Sequence, residues 1–125
     1  PDPAGLLPRR RSGAPLERPE APCRLLVVYH SRTGQAEQMA QALRRGARSA
    51  AAAMEQEDDL AIDFLRASAA QVDDLLCASG FLFCAPENLA SLSGEMKEFF
   101  DRCYYGALGR LEGRPYALAV SAGTD

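Results

Sequence analysis

Residues 25–36, Leu-Leu-Val-Val-Tyr-His-Ser-Arg-Thr-Gly-Gln-Ala, restrict the possible folds more than any other stretch of the chain. The run 25–29 is apolar without alternation, as expected of a strand buried on both faces, and such strands belong to parallel sheets covered by helices. A hydroxyl- and glycine-containing turn follows at once. Helical spacing then begins, with Ala36, Met39, Ala40, Leu43 and Ala47 on one face and the pattern fading near Ala52. A strand feeding a helix through so short a turn is a natural anion site. The first N–H groups of the helix point outward without acceptors, and the macrodipole adds positive potential. Ser31 and Thr33 add hydroxyl groups, and Gly34 lets the backbone approach a phosphate closely. The turn is too short for a nucleotide P-loop and lacks its Lys-Ser/Thr end.

The rest of the chain repeats the alternation. Residues 60–65 read as a second strand, and Asp63 in its middle marks an edge strand with one wet face. Ser68 with Gln71 forms a capping box for a short helix built on Val72, Leu75 and Leu76. Residues 81–84 are a third strand, ended by Pro86. Ser93 caps a third helix with the apolar stripe Met96, Phe99, Phe100, Cys103 and Ala107. Gly113 and Pro115 punctuate before a fourth strand at 116–120. Alternating strands and helices imply an α/β fold, a doubly wound parallel sheet with right-handed crossovers. Ligands of such sheets lie beyond the carboxyl ends of the strands. Three turns occupy those ends here, at 31–36, 85–93 and 121–125.

Composition excludes several functions. The formal net charge of −3 argues against nucleic acid, which calls for a basic face. Cys23, Cys77, Cys84 and Cys103 fit neither a metal-knuckle spacing nor a Cys-x-x-Cys motif, so buried hydrophobes are expected and no metal site. His30 is the only histidine, which argues against a Ser-His-Asp triad and leaves backbone hydrogen bonding as its expected role. No apolar stretch approaches the roughly 18 residues of a membrane span. Residues 1–22 hold six prolines and the run Arg9-Arg10-Arg11, with no apolar centre for a signal peptide. They read as a disordered tail, residues 23–125 as the folded domain, and the cytoplasm as its compartment.

From Arg24 to Asp125 the chain resembles the flavodoxin-like superfamily, and within it the small NAD(P)H-dependent FMN reductases and quinone-reductase-like members. Tyr-His-Ser-Arg-Thr-Gly-Gln-Ala is similar to the first loop of that superfamily, which cradles the FMN phosphate. The resemblance implies phosphate binding by Ser31, Thr33, Gly34, Gln35 and Ala36, with Arg32 beside them. Ala36 departs from the pattern, standing where a hydroxyl residue is usual. Ala-Pro-Glu-Asn-Leu-Ala-Ser-Leu-Ser-Gly resembles the segment that runs along the flavin ring, so Pro86, Glu87, Asn88, Leu89 and Ala90 would line it. The stretch Gly94 to Arg102 matches the style of the reductase branch. Ser121, Ala122 and Gly123 would approach the ring from the far side.

The resemblance also sets the strand order 2-1-3-4, with the usual fifth strand absent from this chain. The domain is therefore read as incomplete, with an exposed apolar fourth strand that favours poor folding or self-association. The implied activity is transfer of reducing equivalents from NAD(P)H, through FMN, to a small-molecule acceptor such as a quinone or a flavin. No protein acid or base is required, so no catalytic residue is expected. Electron carriers of the flavodoxin type resemble this chain less: the 85–93 loop has no aromatic residue, and residues 23–125 carry ten basic and fourteen acidic side chains, only mildly acidic. The alternatives are such a carrier or a non-catalytic flavin-binding domain. Likeness to the family alone implies a homodimer.

Overall fold

A computed structural model describes residues 23–88 and 91–123. The tail 1–22, the ring-loop residues Leu89 and Ala90, and the last two residues lie outside the described residues. The order of elements is β1 (Cys23–Tyr29), α1 (Gln35–Ala53), β2 (Leu60–Arg66), α2 (Val72–Cys77), β3 (Gly80–Asn88), β4 (Ser91–Leu92), α3 (Gly94–Ala107) and β5 (Tyr116–Ser121).

β1 runs parallel to β2, from Cys23↔Leu60 to Tyr29↔Arg66, and parallel to β3, from Leu25↔Gly80 to Tyr29↔Cys84. β5 continues the parallel ladder on the far side of β3, from Phe81↔Tyr116 to Pro86↔Ser121. The parallel order β2-β1-β3-β5 is the expected doubly wound one, the two-residue β4 being an antiparallel addition to the end of β3.

The unbroken apolar run of β1 is explained by its neighbours. Leu26 and Val28 point into a core with Phe81, Phe83, Met96, Phe99 and Cys103, under α2 and α3. Val27 faces the other way, with Ala40, Cys84 and partly buried Tyr29, Leu43 and Phe64, under α1. Leu26, Val28 and Phe99 are fully buried, each contributing about 1.5–3 kcal/mol. Two arginines tie the second layer down. Arg102 on α3 donates to the carbonyls of Ala67 (2.9 Å) and Ala70 (2.6 Å) before α2. Arg114 donates to those of Leu76 and Ala78 (both 2.9 Å) at its end.

Several local expectations shift. The capping box of α2 lies three residues later than Ser68: Gln71 is the N-cap, and its N–H donates to Asp74 Oδ2 at 2.7 Å. Residues 66–70 instead form a turn, Ala69 and Ala70 donating to the Arg66 carbonyl. β3 does not stop before Pro86 but runs through it to Asn88. Proline is tolerated there because the ladder with β5 ends at that residue. β2 is the edge strand expected, and Asp63 on it is partly exposed and accepts from Arg24 Nη1 at 3.0 Å on both oxygens. Cys84 and Cys103 are buried as expected, whereas Cys23 and Cys77 are exposed.

Phe100 sits at the margin of the α3 stripe, at the limit of exposure. With Phe81, Phe83, Tyr104, Tyr116 and Leu118 it lines an open apolar groove of about 640 Å³ between α3 and β5. Tyr116 (73% exposed) and Leu118 (48%) give β5 the apolar surface foreseen for the fourth strand.

Candidate functional site

The turn after β1 keeps its helix start open. Ser31 is the natural capping residue, yet its Oγ accepts the N–H of Gly34 at 2.9 Å and never reaches the helix. Gly34 takes the N-cap position of α1 with φ +99°, in the left-handed region, and no side chain caps the helix. The first-turn N–H groups of Gln35 and Ala36 are consequently left for an external acceptor. Ala36 is buried against the sheet, so only its backbone faces the turn. The missing hydroxyl at this position therefore leaves the backbone cradle intact. Arg32, Thr33 and Gln35 are exposed around it. An uncapped helix start preceded by a left-handed glycine fits a phosphate well.

The second loop is a hairpin rather than an open loop. Glu87 and Asn88 pair antiparallel with Leu92 and Ser91, and Lys97 Nζ donates to Ser91 Oγ at 3.2 Å. Pro86, Glu87 and Asn88 are half-buried, and Leu89 and Ala90 lie outside the described residues. In the third segment Ser121 is still in β5, opposite Pro86, while Ala122 and Gly123 lie exposed beyond it. β1, β3 and β5 are consecutive in the sheet, so the three segments share its carboxyl end.

Behind the first turn lies a cluster that local patterns do not announce. His30 is buried, and its N–H extends the β1–β3 ladder to the Cys84 carbonyl at 3.0 Å. Its Nδ1 is 2.8 Å from Ser93 Oγ, and its Nε2 is 3.3 Å from Glu95 Oε1. The other Glu95 oxygen forms an ion pair with Arg66, 3.2 Å from its Nε, and accepts the Ser68 N–H at 3.2 Å. A second Arg66 nitrogen reaches the Ser31 carbonyl at 3.4 Å. Ser93 is the expected cap of α3, accepting the Met96 N–H at 3.4 Å.

Glu95 accepts only, so the neutral tautomer that suits both contacts has its hydrogen on Nε2 and lets Nδ1 accept the Ser93 hydroxyl. Burial lowers the His30 pKa below the usual histidine value and so favours the neutral ring, Glu95 opposing it and Arg66 and Arg32 adding to it. Serine, histidine and glutamate in line suggest an acyl-transfer triad, but the Ser93 hydroxyl is fully buried under the helix it caps and meets no substrate. The array is a brace, not a nucleophile. His30 and Ser93 carried a local signal, as strand end and helix cap; Glu95 and Arg66 carried none.

Residues 37–125 match the NADPH-dependent FMN reductase family. The NAD(P)H dehydrogenase (quinone) of Acidithiobacillus ferrooxidans is 35% identical, over 82% of this chain and 58% of its own length. The flavodoxin of Aquifex aeolicus is 29% identical, over 80% of this chain and 50% of its own. Among solved structures, a flavodoxin from the domain Archaea superposes with a TM-score of 0.66 at 20% identity, over 82% of this chain and 64% of its own. That of Streptococcus pneumonia TIGR4 gives 0.64 at 21%, over 80% and 62%. The chain spans between 50% and 64% of the length of these four relatives. The fold is flavodoxin-like, and the chain belongs to the NADPH-dependent FMN reductase family.

Proposed function

We propose that the protein binds FMN and passes reducing equivalents from NAD(P)H to a small-molecule acceptor, a quinone or a free flavin. The observation that carries this reading is the uncapped start of α1 behind left-handed Gly34, at the carboxyl end of the central strands. The N–H groups of Gln35 and Ala36 would hold the phosphate, with the Thr33 hydroxyl and the Arg32 guanidinium beside it. Pro86, Glu87, Asn88, Leu89 and Ala90 would flank one side of the ring. Ser121, Ala122 and Gly123 would flank the other. FMN, when bound, would supply the redox chemistry between donor and acceptor. The protein binds and orients.

The 85–93 segment carries no aromatic side chain to cover the ring, leaving a face for a stacked nicotinamide. A one-electron carrier is the second reading, favoured by the flavodoxin from Aquifex aeolicus and by the flavodoxin structures. The deciding experiment saturates the protein with FMN and follows oxidation of NADPH and NADH with a quinone or free flavin present. Turnover with either donor is expected. An FMN-loaded protein inert to both, reduced through a stable half-reduced stage, would replace the enzyme with the carrier. The cytoplasm and a homodimer remain part of the proposal; no helix among the described residues is long and apolar enough to cross a membrane.

A further inference from the structure

Four side chains outside the three loop segments' expected contact residues meet behind the phosphate turn: His30 after β1, Arg66 at the end of β2, and Ser93 and Glu95 at the start of α3. We propose that Glu95 and His30 are positioning residues for the FMN phosphate, holding the Ser31 turn and the start of α3 as one unit. The inference rests on the FMN reading and assigns these residues no contact with the ligand.

The connections run in sequence. Glu95 holds Arg66 at 3.2 Å, and another nitrogen of Arg66 holds the Ser31 carbonyl at 3.4 Å. Ser31 Oγ in turn holds the Gly34 N–H at 2.9 Å, and Gly34 begins the helix whose free N–H groups would meet the phosphate. In parallel, His30 ties the residue before the turn to Glu95 on one ring nitrogen and to Ser93 on the other. Glu95 alone therefore meets His30 at the β1 end, pairs with Arg66 at the β2 end and accepts the Ser68 N–H beyond it. Without it, Arg66 and His30 both lose the partner that aims them, and the turn loses two restraints.

The sign of the effect separates this role from plain electrostatics. A carboxylate near a phosphate site repels the phosphate, so neutralising it would tighten FMN binding. A positioning carboxylate does the reverse.

The test measures FMN and riboflavin affinities by flavin fluorescence quenching, for the unaltered protein, Glu95→Gln and His30→Asn. Glu95→Gln is expected to weaken FMN about tenfold, the scale of a lost charge-assisted contact, and riboflavin clearly less. Unchanged or tighter FMN binding overturns the proposal, and so does an equal loss for both ligands, which would make Glu95 merely structural. Should Glu95→Gln fail to fold, His30→Asn decides on the same two ligands: a larger loss of FMN than of riboflavin affinity is expected, and an equal loss or none overturns the brace. An unaltered protein with no preference for FMN over riboflavin instead defeats the FMN reading itself, and the positioning role falls with it.

Discussion

Replacing Ser93 with alanine removes two interactions from one buried hydroxyl. The first is the cap on α3, a 3.4 Å contact from the Met96 N–H and so at the weaker end of about 0.5–2 kcal/mol. The second is the 2.8 Å hydrogen bond to His30 Nδ1, which leaves a ring nitrogen unsatisfied inside a site where His30 is only 7% exposed. That costs about 1–3 kcal/mol. Together the expected loss is about 2–4 kcal/mol, or roughly 10–25 °C of melting temperature for a domain of this size. The loss also depends on pH. Burial keeps the His30 pKa below its unfolded value of 6.5, so its neutral form contributes stability that is present above that value and lost as pH falls through the folded one. Ser93→Ala removes the donor that favours the neutral ring, so its penalty shrinks on acidification. Urea unfolding followed by circular dichroism, at about pH 8 and about pH 5.5 on either side of the histidine range, reads both quantities. A loss near 1 kcal/mol, equal at the two pH values, would mean that Ser93 is a helix cap and nothing more.

Gly34→Ala puts a Cβ into open space, so its cost is the left-handed backbone alone, about 1–2 kcal/mol; FMN affinity should fall more than riboflavin affinity in a fluorescence titration. Gly106→Ala would bring a Cβ to 2.7 Å from Val72 Cγ2, and a β-branched valine yields little. A loss of about 1–3 kcal/mol is expected by thermal melting despite the gain in helix propensity, with Val72→Ala in the same chain restoring most of it. A thiol reagent at neutral pH should modify exposed Cys23 and Cys77 well before Cys84 and Cys103, as read by peptide mass. Burial pushes the Cys84 thiol to a pKa of about 11 and raises that of Cys103.

What the sequence showed and what it hid divide along physical lines. β1, α1 and α3 are written in apolar spacing, because each buries a face whose period is local. The open turn at 31–36 was legible for the same reason: strand, glycine and helix follow one another without a gap. The end of β3 was not legible, because pairing with β5 carries the strand to a proline that local rules treat as a stop and pairing with β4 carries it past. The cap of α2 was displaced because Arg102 on α3 holds the Ala67 and Ala70 carbonyls in a turn. Phe100 kept helical spacing yet lies at the groove, since spacing gives a direction and not what stands there. The Arg66–Glu95–His30 contact could not be read at all. Its members come from three elements that only the crossovers of the sheet bring together.

The chain contains one histidine, and the fold has placed it where three of its elements join. Its imidazole nitrogens consequently give a single, unambiguous pair of signals in a nitrogen NMR spectrum, with no assignment step needed. Hydrogen on Nε2 and a hydrogen-bond-accepting Nδ1 would be the signature of the assembled junction, and a mixed pair that of a loosened one. The protein thus carries its own internal gauge of whether the carboxyl end of the sheet is in order.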